Sequence, residues 1–263
     1  MQIGIGIDLS PTSGGEEVSY SAEATALFAR MTAQPDATRK GHIDTLIGAL
    51  KTAGVWTKLD VFYMFAALDI QSSLLNWKSS SYDCTRVNLA DGSFTVDRGW
   101  TTDGSTSYID TGFNPSTAGG IYALNSASFG TRNLIDNNTT ASGFGNFDGT
   151  NGCTLNPRNS GNYVWRVNSS AGVNTAGAAS SIHVYQLSRS ASNALDLIID
   201  GTPTANTNAS TSIGNLTFRI GTATATAARA VQAAWFYAGG DLTRTEEGDL
   251  RTASATFTTA LGF

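Results

Sequence analysis

The sequence has few charged residues, and those it has are unevenly placed. Only 14% of its 263 residues are Asp, Glu, Lys or Arg, against roughly 25% in an average soluble domain. No lysine follows Lys78, and no glutamate lies between Glu23 and Glu246. The sequence contains no GxxxxGK[ST] phosphate-binding loop, and a paired-carboxylate glycosidase would have to use aspartates alone in this long stretch. We therefore expect a protein that is not an enzyme and has no nucleotide chemistry.

Cysteine is scarce, and long apolar runs and an excess of positive charge are missing. Cys84 and Cys153 are the only cysteines, and they fit either one bridge or two buried thiols. No run of 18 apolar residues occurs, which predicts no membrane insertion. The net charge of −5 predicts no nucleic-acid partner. The first eight residues lack the basic start and apolar stretch of a secretory signal, which indicates synthesis in a bacterial cytoplasm.

The N-terminal 21 residues are predicted to form a strand and a tether. Apolar side chains at every second position alternate with small or polar ones, as in a half-buried strand; they are Ile3, Ile5, Ile7 and Leu9. The segment 10–15, rich in Pro, Ser and Gly, follows as a flexible connection. Such a strand fits either the chain's own sheet or the sheet edge of a partner. In the second case these four residues attach the protein to its partner.

Residues 22–80 are predicted to form a helical region that attaches the protein or makes it oligomeric. The first helix is predicted over 22–33, and the second begins after the N-cap Asp36 and ends at Gly54. A capping-box pattern starting at Thr57 predicts a third helix, which continues to Trp77. The apolar stripe of these helices indicates packing on the next domain or an interface between copies of the chain.

Residues 81–263 are predicted to form a mainly β domain. Asn76 is the only asparagine before residue 80, whereas asparagine and glycine turns separate short alternating segments after it. The predicted strands are 93–96, 107–113, 120–129, 143–147, 163–168, 181–188, 195–200, 216–221 and 231–238. Many short strands at regular spacing predict an antiparallel jelly-roll sandwich. Thr243 and Glu246 form a second capping box, which predicts a closing helix to about Leu261.

An ordered set of segments resembles a known family. The segments are 94–113, 181–189, 196–201, 218–221 and 235–243. They resemble the concanavalin A-like, LamG-type jelly rolls in virion proteins of tailed phages, prophages and gene transfer particles, over roughly residues 82–263. The resemblance implies a jelly-roll fold and a spike, fibre or vertex protein of a phage-like particle. It implies other particle proteins and further copies of this chain as partners, with host surface polysaccharide as the ligand. A free bacterial lectin is the alternative, and a glycan hydrolase is a second one.

The segment 142–165 supplies candidate residues for carbohydrate binding. Flat aromatic rings stack on sugars, while amide, carboxylate and guanidinium groups bind hydroxyls. The candidates are Phe144, Asn146, Asp148, Arg158, Asn162, Tyr163 and Trp165. The alternative for each aromatic residue is an ordinary place in the core.

Calcium is the only cofactor that the sequence suggests. Asp97 and Asp103 flank an oxygen-rich loop that suits a hard cation, and some LamG-type domains carry calcium at the sandwich rim. His42 and His183 are the only histidines, and neither lies in a zinc-binding pattern. We expect no other cofactor.

Overall fold

The structure is a computed structural model that describes residues 19–224 and 228–263. The predicted attachment residues Ile3, Ile5, Ile7 and Leu9 lie outside this described part. Their strand and their role in attachment therefore stay predictions.

The described chain is mainly β, with two helices before the first strand, a short helix between the first two strands and a long helix after the last strand. The helices are α1 (Ala22–Phe28), α2 (Ala37–Thr52), α3 (Ile70–Ser73) and α4 (Arg244–Ala260). The first eight strands are β1 (Leu59–Met64), β2 (Thr85–Val87), β3 (Phe94–Thr95), β4 (Gly99–Thr101), β5 (Tyr108–Asp110), β6 (Ala127–Asn133), β7 (Phe144–Gly145) and β8 (Thr154–Asn159). The remaining strands are β9 (Asn162–Arg166), β10 (Val173–Ala176), β11 (Val184–Ala191), β12 (Ala194–Ile199), β13 (Thr202–Asn206), β14 (Arg219–Ile220) and β15 (Gln232–Gly239).

The strands form two antiparallel sheets that pack face to face, which confirms the predicted sandwich. The larger sheet has the order β13-β12-β11-β6-β15-β4-β3, and β1 also pairs with β15. The smaller sheet has the order β10-β9-β8-β7-β14-β5-β2. Apolar side chains from both sheets meet in one core, which includes Trp100, Phe129, Trp165 and Phe236. Each sheet also pairs strands that are distant in sequence, such as β6 with β11 and β15 in the larger sheet and β7 with β14 in the smaller one, as in a jelly-roll-like sandwich.

The helices cover the outer face of the larger sheet and create a second core. Alternation along β15 supplies both cores, because successive side chains point to opposite faces of a sheet. Phe236 lies between the sheets, whereas Trp235 and Tyr237 pack under the helices. In α2, Ile43 and Leu46 contribute to this second core. The larger sheet is therefore buried on both faces along its middle strands.

Two of the predicted helix starts are confirmed in detail. Asp36 caps α2 by accepting a hydrogen bond from the Arg39 N–H at 2.8 Å. Thr243 and Glu246 form the reciprocal capping box of α4. The first helix is shorter than predicted, because α1 ends at Phe28. Among the described residues, no helix combines the length and hydropathy needed to cross a bilayer.

The prediction of a helix over 57–77 was wrong. Residues 59–64 form β1, which pairs with β15 in antiparallel register from Leu59↔Gly239 to Met64↔Trp235. Val61 packs in the core between the sheets and Phe62 in the core under the helices. A strand that is buried on both faces is apolar at successive positions, so its pattern does not differ from that of a buried helix.

The two cysteines are not bridged. Cys84 and Cys153 are both free and buried. Burial raises the pKa of the Cys153 thiol to about 11. Its sulfur lies 2.8 Å from the hydroxyl of Tyr122, so it is a core residue with a hydrogen-bond partner.

Candidate functional site

A groove of about 710 Å³ runs between α4 and one end of the larger sheet, and we call it the α4 groove. The sheet contributes residues at the end of β6, before and in the start of β11, and in the β12–β13 turn: Arg132, Asn133, Ile182, His183, Val184 and Asp200. The helix contributes one face of side chains: Arg251, Thr252, Ala255, Thr256 and Thr259. Charged, hydroxyl and apolar groups therefore line one concave surface.

The register of the sheet brings Arg132 and His183 to the same end of the larger sheet. Strands β6 and β11 are antiparallel, with Arg132 opposite Val184. His183 directly precedes Val184, so it lies just beyond the end of the paired region of β6 and β11. The Arg132 side chain reaches towards α4 and donates to the hydroxyl of Thr258 at 2.9 Å.

The turn between β12 and β13 holds His183 in place. Asp200 and Gly201 have φ values of +49° and +92°, as in the tight two-residue hairpins that favour Asp-Gly. The Asp200 Oδ2 lies 2.6 Å from His183 Nδ1, and Oδ1 accepts from the Val184 N–H at 2.8 Å. Both oxygens of this carboxylate are therefore engaged, and they fix the imidazole at the groove wall.

Gly201 makes room for the guanidinium of Arg251. A Cβ atom at position 201 would lie 2.7 Å from Arg251 Nη2, which is closer than van der Waals contact. The same guanidinium donates through Nη1 to Gln186 Oε1 at 3.4 Å. The glycine therefore suits the positive φ of the turn, and a side chain at this position would require the flexible end of Arg251 to shift.

The helix supplies hydroxyl groups to the groove at helical spacing. Thr252, Thr256 and Thr259 lie at positions i, i+4 and i+7 and so share one face of α4. Ala255 lies between them and leaves a small apolar surface. On the opposite wall, the side chain of Ile182 is 49% exposed, which gives the groove an apolar rim.

Aromatic residues support the imidazole from behind. The Tyr163 and His183 rings meet edge to face, with centroids 6.4 Å apart. Tyr185 contacts His183 in the same way at 5.8 Å. Tyr163 is one of the predicted carbohydrate-binding residues, and the structure places it behind the groove wall with only 7% exposure.

The predicted carbohydrate-binding residues lie at opposite ends of the sandwich. The β8–β9 hairpin turns between Asn159 and Asn162, while its other end pairs Thr154 with Arg166. Arg158, Asn162 and Tyr163 therefore lie at the end that carries the α4 groove. Arg158 binds Asp136 at 2.5 Å.

Other predicted members belong to the core or to the far end. Phe144, Trp165 and Asn146 are fully buried, and they offer no surface to a ligand. Asp148 is exposed at the far end, where its carboxylate accepts from the backbone N–H groups of Thr150, Asn151 and Asn215, each at 2.9 Å. Burial opposes this effect, but these donors lower the pKa of Asp148. Its oxygens hold two loops together.

The carboxylates of the predicted calcium pair, Asp97 and Asp103, are engaged by groups of the chain itself. Arg39 donates to both carboxylate oxygens of Asp97, at 2.7 and 2.9 Å. The Asp103 Oδ1 accepts from the N–H groups of Ser105, Thr106 and Ser107, which lower its pKa against the effect of burial. Among residues 19–224 and 228–263, no group of three or more His, Cys, Asp or Glu side chains could hold a metal ion.

None of the eleven residues that line the α4 groove was among the predicted carbohydrate-binding residues; its ionisable members are Arg132, His183, Asp200 and Arg251. The Asp200-Gly201 turn was visible in the sequence as a hairpin signal, but its contact with His183 depends on the register of three strands.

A second groove lies on the other side of α4, between this helix and α2. It has a volume of about 580 Å³ and shares Thr252 and Thr256 with the α4 groove. Its remaining lining is largely small or apolar, with His42 and Asp249 as the ionisable groups. The charged cluster thus belongs to the sheet side of the helix.

Comparison with known proteins identifies related folds. No family model matches the sequence, and no curated protein matches it. The structure is similar to domain 4 of AbnA, a GH43 extracellular arabinanase from Geobacillus stearothermophilus, solved in complex with arabinotriose. The TM-score is 0.53 at 18% identity, and the match covers 73% of this chain and 98% of that domain.

Two larger proteins contain a similar sandwich. The binding domain of botulinum neurotoxin serotype D matches with a TM-score of 0.54 at 10% identity, over 79% of this chain and 52% of that one. Trypanosoma rangeli sialidase in complex with the inhibitor DANA matches with a TM-score of 0.54 at 13% identity, over 82% of this chain and 38% of that one. At these identities the similarity concerns the fold, which is a β-sandwich.

Proposed function

We propose that the protein binds carbohydrate in the α4 groove. The observation that carries the proposal is a concave surface on which Arg132, His183 and Asp200 meet three threonine hydroxyls and an exposed isoleucine. Ligand sites of this kind combine an apolar surface with a few fixed polar groups. A sugar ring presents the matching chemistry, with hydroxyls at its edge and C–H groups on its faces. The arabinotriose complex of a protein with the same fold supports this class of ligand.

We propose binding without hydrolysis. Glycoside hydrolysis usually needs two carboxyl groups on either side of the scissile bond. In the described part of the chain, Asp200 is the single carboxylate that lines the α4 groove, and it is engaged by His183 and the Val184 N–H. An exposed general acid and a nucleophile are therefore both absent from this lining.

The biological setting that we propose is a phage-like particle. The sequence resemblance over residues 82–263 supports a spike, fibre or vertex protein that contacts host surface polysaccharide. Particle proteins and further copies of this chain would be its partners. Mass spectrometry of purified particles tests this setting: presence of the protein in stoichiometric amounts supports it, and absence favours the free lectin.

A glycan array with two matched variants tests the binding site. Ala255→Trp places an indole in the α4 groove, whereas Thr245→Trp places it on the exposed first turn of the same helix, outside both grooves. We expect the wild-type protein and Thr245→Trp to bind the same saccharides and Ala255→Trp to lose them. Full binding by Ala255→Trp would show that saccharides bind outside the α4 groove. Release of reducing ends from a bound polysaccharide would show that the protein is a glycan hydrolase.

A further inference from the structure

The two arginines of the α4 groove lack the carboxylate partner that six other arginines of the described chain have. Arg132 donates to the Thr258 hydroxyl and lies over the ring of Phe263, with 4.9 Å between the guanidinium carbon and the ring centroid. Arg251 donates to the amide oxygen of Gln186. Each guanidinium therefore keeps its full charge next to the groove.

The charge balance of the groove is positive, although the whole chain carries −5. Its single carboxylate, among the described lining residues, is Asp200, whose two oxygens are already occupied by His183 and the Val184 N–H. Burial lowers the pKa of Arg132 and Asp200 raises it, and an arginine stays protonated at any physiological pH. The groove lining thus contains two cations, Arg132 and Arg251, and one carboxylate, Asp200, whose oxygens already have other partners.

Arg132 and Arg251 approach the groove from its two walls. Arg132 comes from the sheet and is held by α4, whereas Arg251 comes from α4 and rests on Gly201. Both side chains are half-buried, so part of their hydration is already lost. A ligand that offers them only neutral hydroxyls would cover these charges without compensating them, which is unfavourable.

We propose that the α4 groove selects acidic saccharides, whose carboxylate or sulfate group is bound by Arg132 and Arg251. This inference rests on the proposed carbohydrate-binding function. A guanidinium offers a planar pair of N–H donors that matches an oxyanion. The hydroxyls of Thr252 and Thr256 then bind sugar hydroxyls, and Ile182 contacts the apolar face of the ring.

The experiment compares saccharides that differ only in charge. Isothermal titration is carried out with galacturonan oligomers and with their methyl esters. The esters keep the sugar backbone, and their carboxylates are converted into uncharged groups. Dextran sulfate and dextran oligomers provide the same comparison for sulfate. We expect at least one acidic form to bind ten-fold or more tightly than its neutral partner, with an affinity that falls as salt concentration rises.

Arginine variants connect this selectivity to the groove. We expect Arg132→Gln and Arg251→Gln each to reduce the affinity for the acidic oligomer at least ten-fold and to reduce the affinity for its neutral partner far less, so that the ratio of the two affinities falls towards one. Arg86→Gln removes an exposed arginine that pairs with Asp91 and should bind like the wild type. Thermal melting identifies any variant that fails to fold, in which case the other one decides.

The outcomes separate this inference from the function on which it rests. Equal affinity for acidic and neutral oligomers, or acidic binding that both arginine variants retain, overturns the acidic selectivity while carbohydrate binding stands. If no acidic or neutral saccharide of a broad glycan array binds, the proposed function itself fails.

Discussion

At the residue scale, Gly201 allows the tight β12–β13 turn that holds Asp200 in the α4 groove. Gly201 has a φ of +92°, and a Cβ there would lie 2.7 Å from Arg251 Nη2. We predict that Gly201→Ala destabilises the protein by about 1–3 kcal/mol, because alanine is strained at positive φ. The variant should also displace the Arg251 guanidinium and weaken saccharide binding, which urea denaturation and titration calorimetry would measure.

Gly248, in α4, provides the control glycine for Gly201. It lies inside α4, and a Cβ there meets nothing within 4 Å. Gly248→Ala should therefore stabilise the protein by about 0.5–1 kcal/mol, because alanine loses less backbone entropy than glycine in a helix. Equal stabilities of the two variants would contradict the role assigned to Gly201.

Two neighbouring glutamates of α4 should respond to pH in opposite directions. Burial raises the pKa of Glu247 from 4.5 to about 7, with Arg244 opposing the shift. A folded-state pKa above the unfolded one stabilises the protein at low pH, and this contribution is lost as pH rises through 7. We predict that Glu247→Gln is more stable than the wild type at pH 9, by on the order of 2 kcal/mol, and differs little at pH 4.

Glu246 behaves in the opposite way. Burial opposes the change, but Lys58 and the Thr243 N–H lower its pKa. Its stabilising contribution is present above pH 4.5 and is lost as pH falls through its lowered pKa. Glu246→Gln should therefore lose stability at neutral pH and approach the wild type in acid. Chemical denaturation across pH 3 to 9 would measure both curves, and parallel curves would refute the prediction.

At the scale of elements, β1 fastens a long loop to the larger sheet. Asp60, at a bulge of β1, accepts from the backbone N–H groups of Ile121 and Tyr122 at 2.7 and 2.8 Å. We predict that Asp60→Asn costs about 1–3 kcal/mol, because the amide replaces one charged acceptor with a donor that faces N–H groups. Asp249→Asn, at an exposed position of α4, should change stability by less than about 0.5 kcal/mol. Thermal melts of both variants would test the difference.

Elements whose signal is local could be predicted from the sequence, and those defined by their partners could not. Each cap of α2 and α4 involves residues that lie within four positions of one another. The alternation of apolar and polar side chains indicated β11 and β12. Strand β8 contains Pro157 and mostly polar side chains that are nevertheless buried, so neither its hydropathy nor its propensity indicates a strand. Strand β1 is apolar on both faces, which is equally typical of a helix.

The candidate site depends even more on contacts between segments that are distant in the sequence. The groove joins β6, β11, the β12–β13 turn and α4, and these segments come from four separate parts of the chain. Arg132 and His183 line the same groove only because β6 and β11 pair in one particular register. The sequence-based site used one continuous segment, and the hairpin β8–β9 carries the two halves of that segment to opposite ends of the sandwich.

At the scale of the whole molecule, one buried arginine ties together the loops at each end of the sandwich. Arg189 donates only to backbone carbonyls, at 2.8–3.1 Å: those of Val167, Ala191, Ser192 and Asn208. At the opposite end, the buried side chain of Arg229 binds the carbonyls of Thr139, Ala141 and Arg158, at 3.1–3.2 Å. Both ends thus depend on the branched shape of the guanidinium.

Lysine should not replace these arginines. We predict that Arg189→Lys lowers the free energy of unfolding by about 3 kcal/mol, because one ammonium cannot reach carbonyls in three loops and leaves several without a donor. Arg86→Lys, in an exposed ion pair with Asp91, should cost less than about 1 kcal/mol. Urea denaturation would measure both, and similar losses would refute the special role of Arg189.

The one-sided distribution of lysine has a practical consequence for handling the protein. The four lysines, at positions 40, 51, 58 and 78, lie in or beside the helical layer and the first strand, and none lines the α4 groove. Amine-reactive reagents directed at lysine side chains would therefore attach dyes, biotin or a sensor surface to this side alone. These reagents would leave the lining of the α4 groove unmodified, because its cations are arginines, which do not react with them.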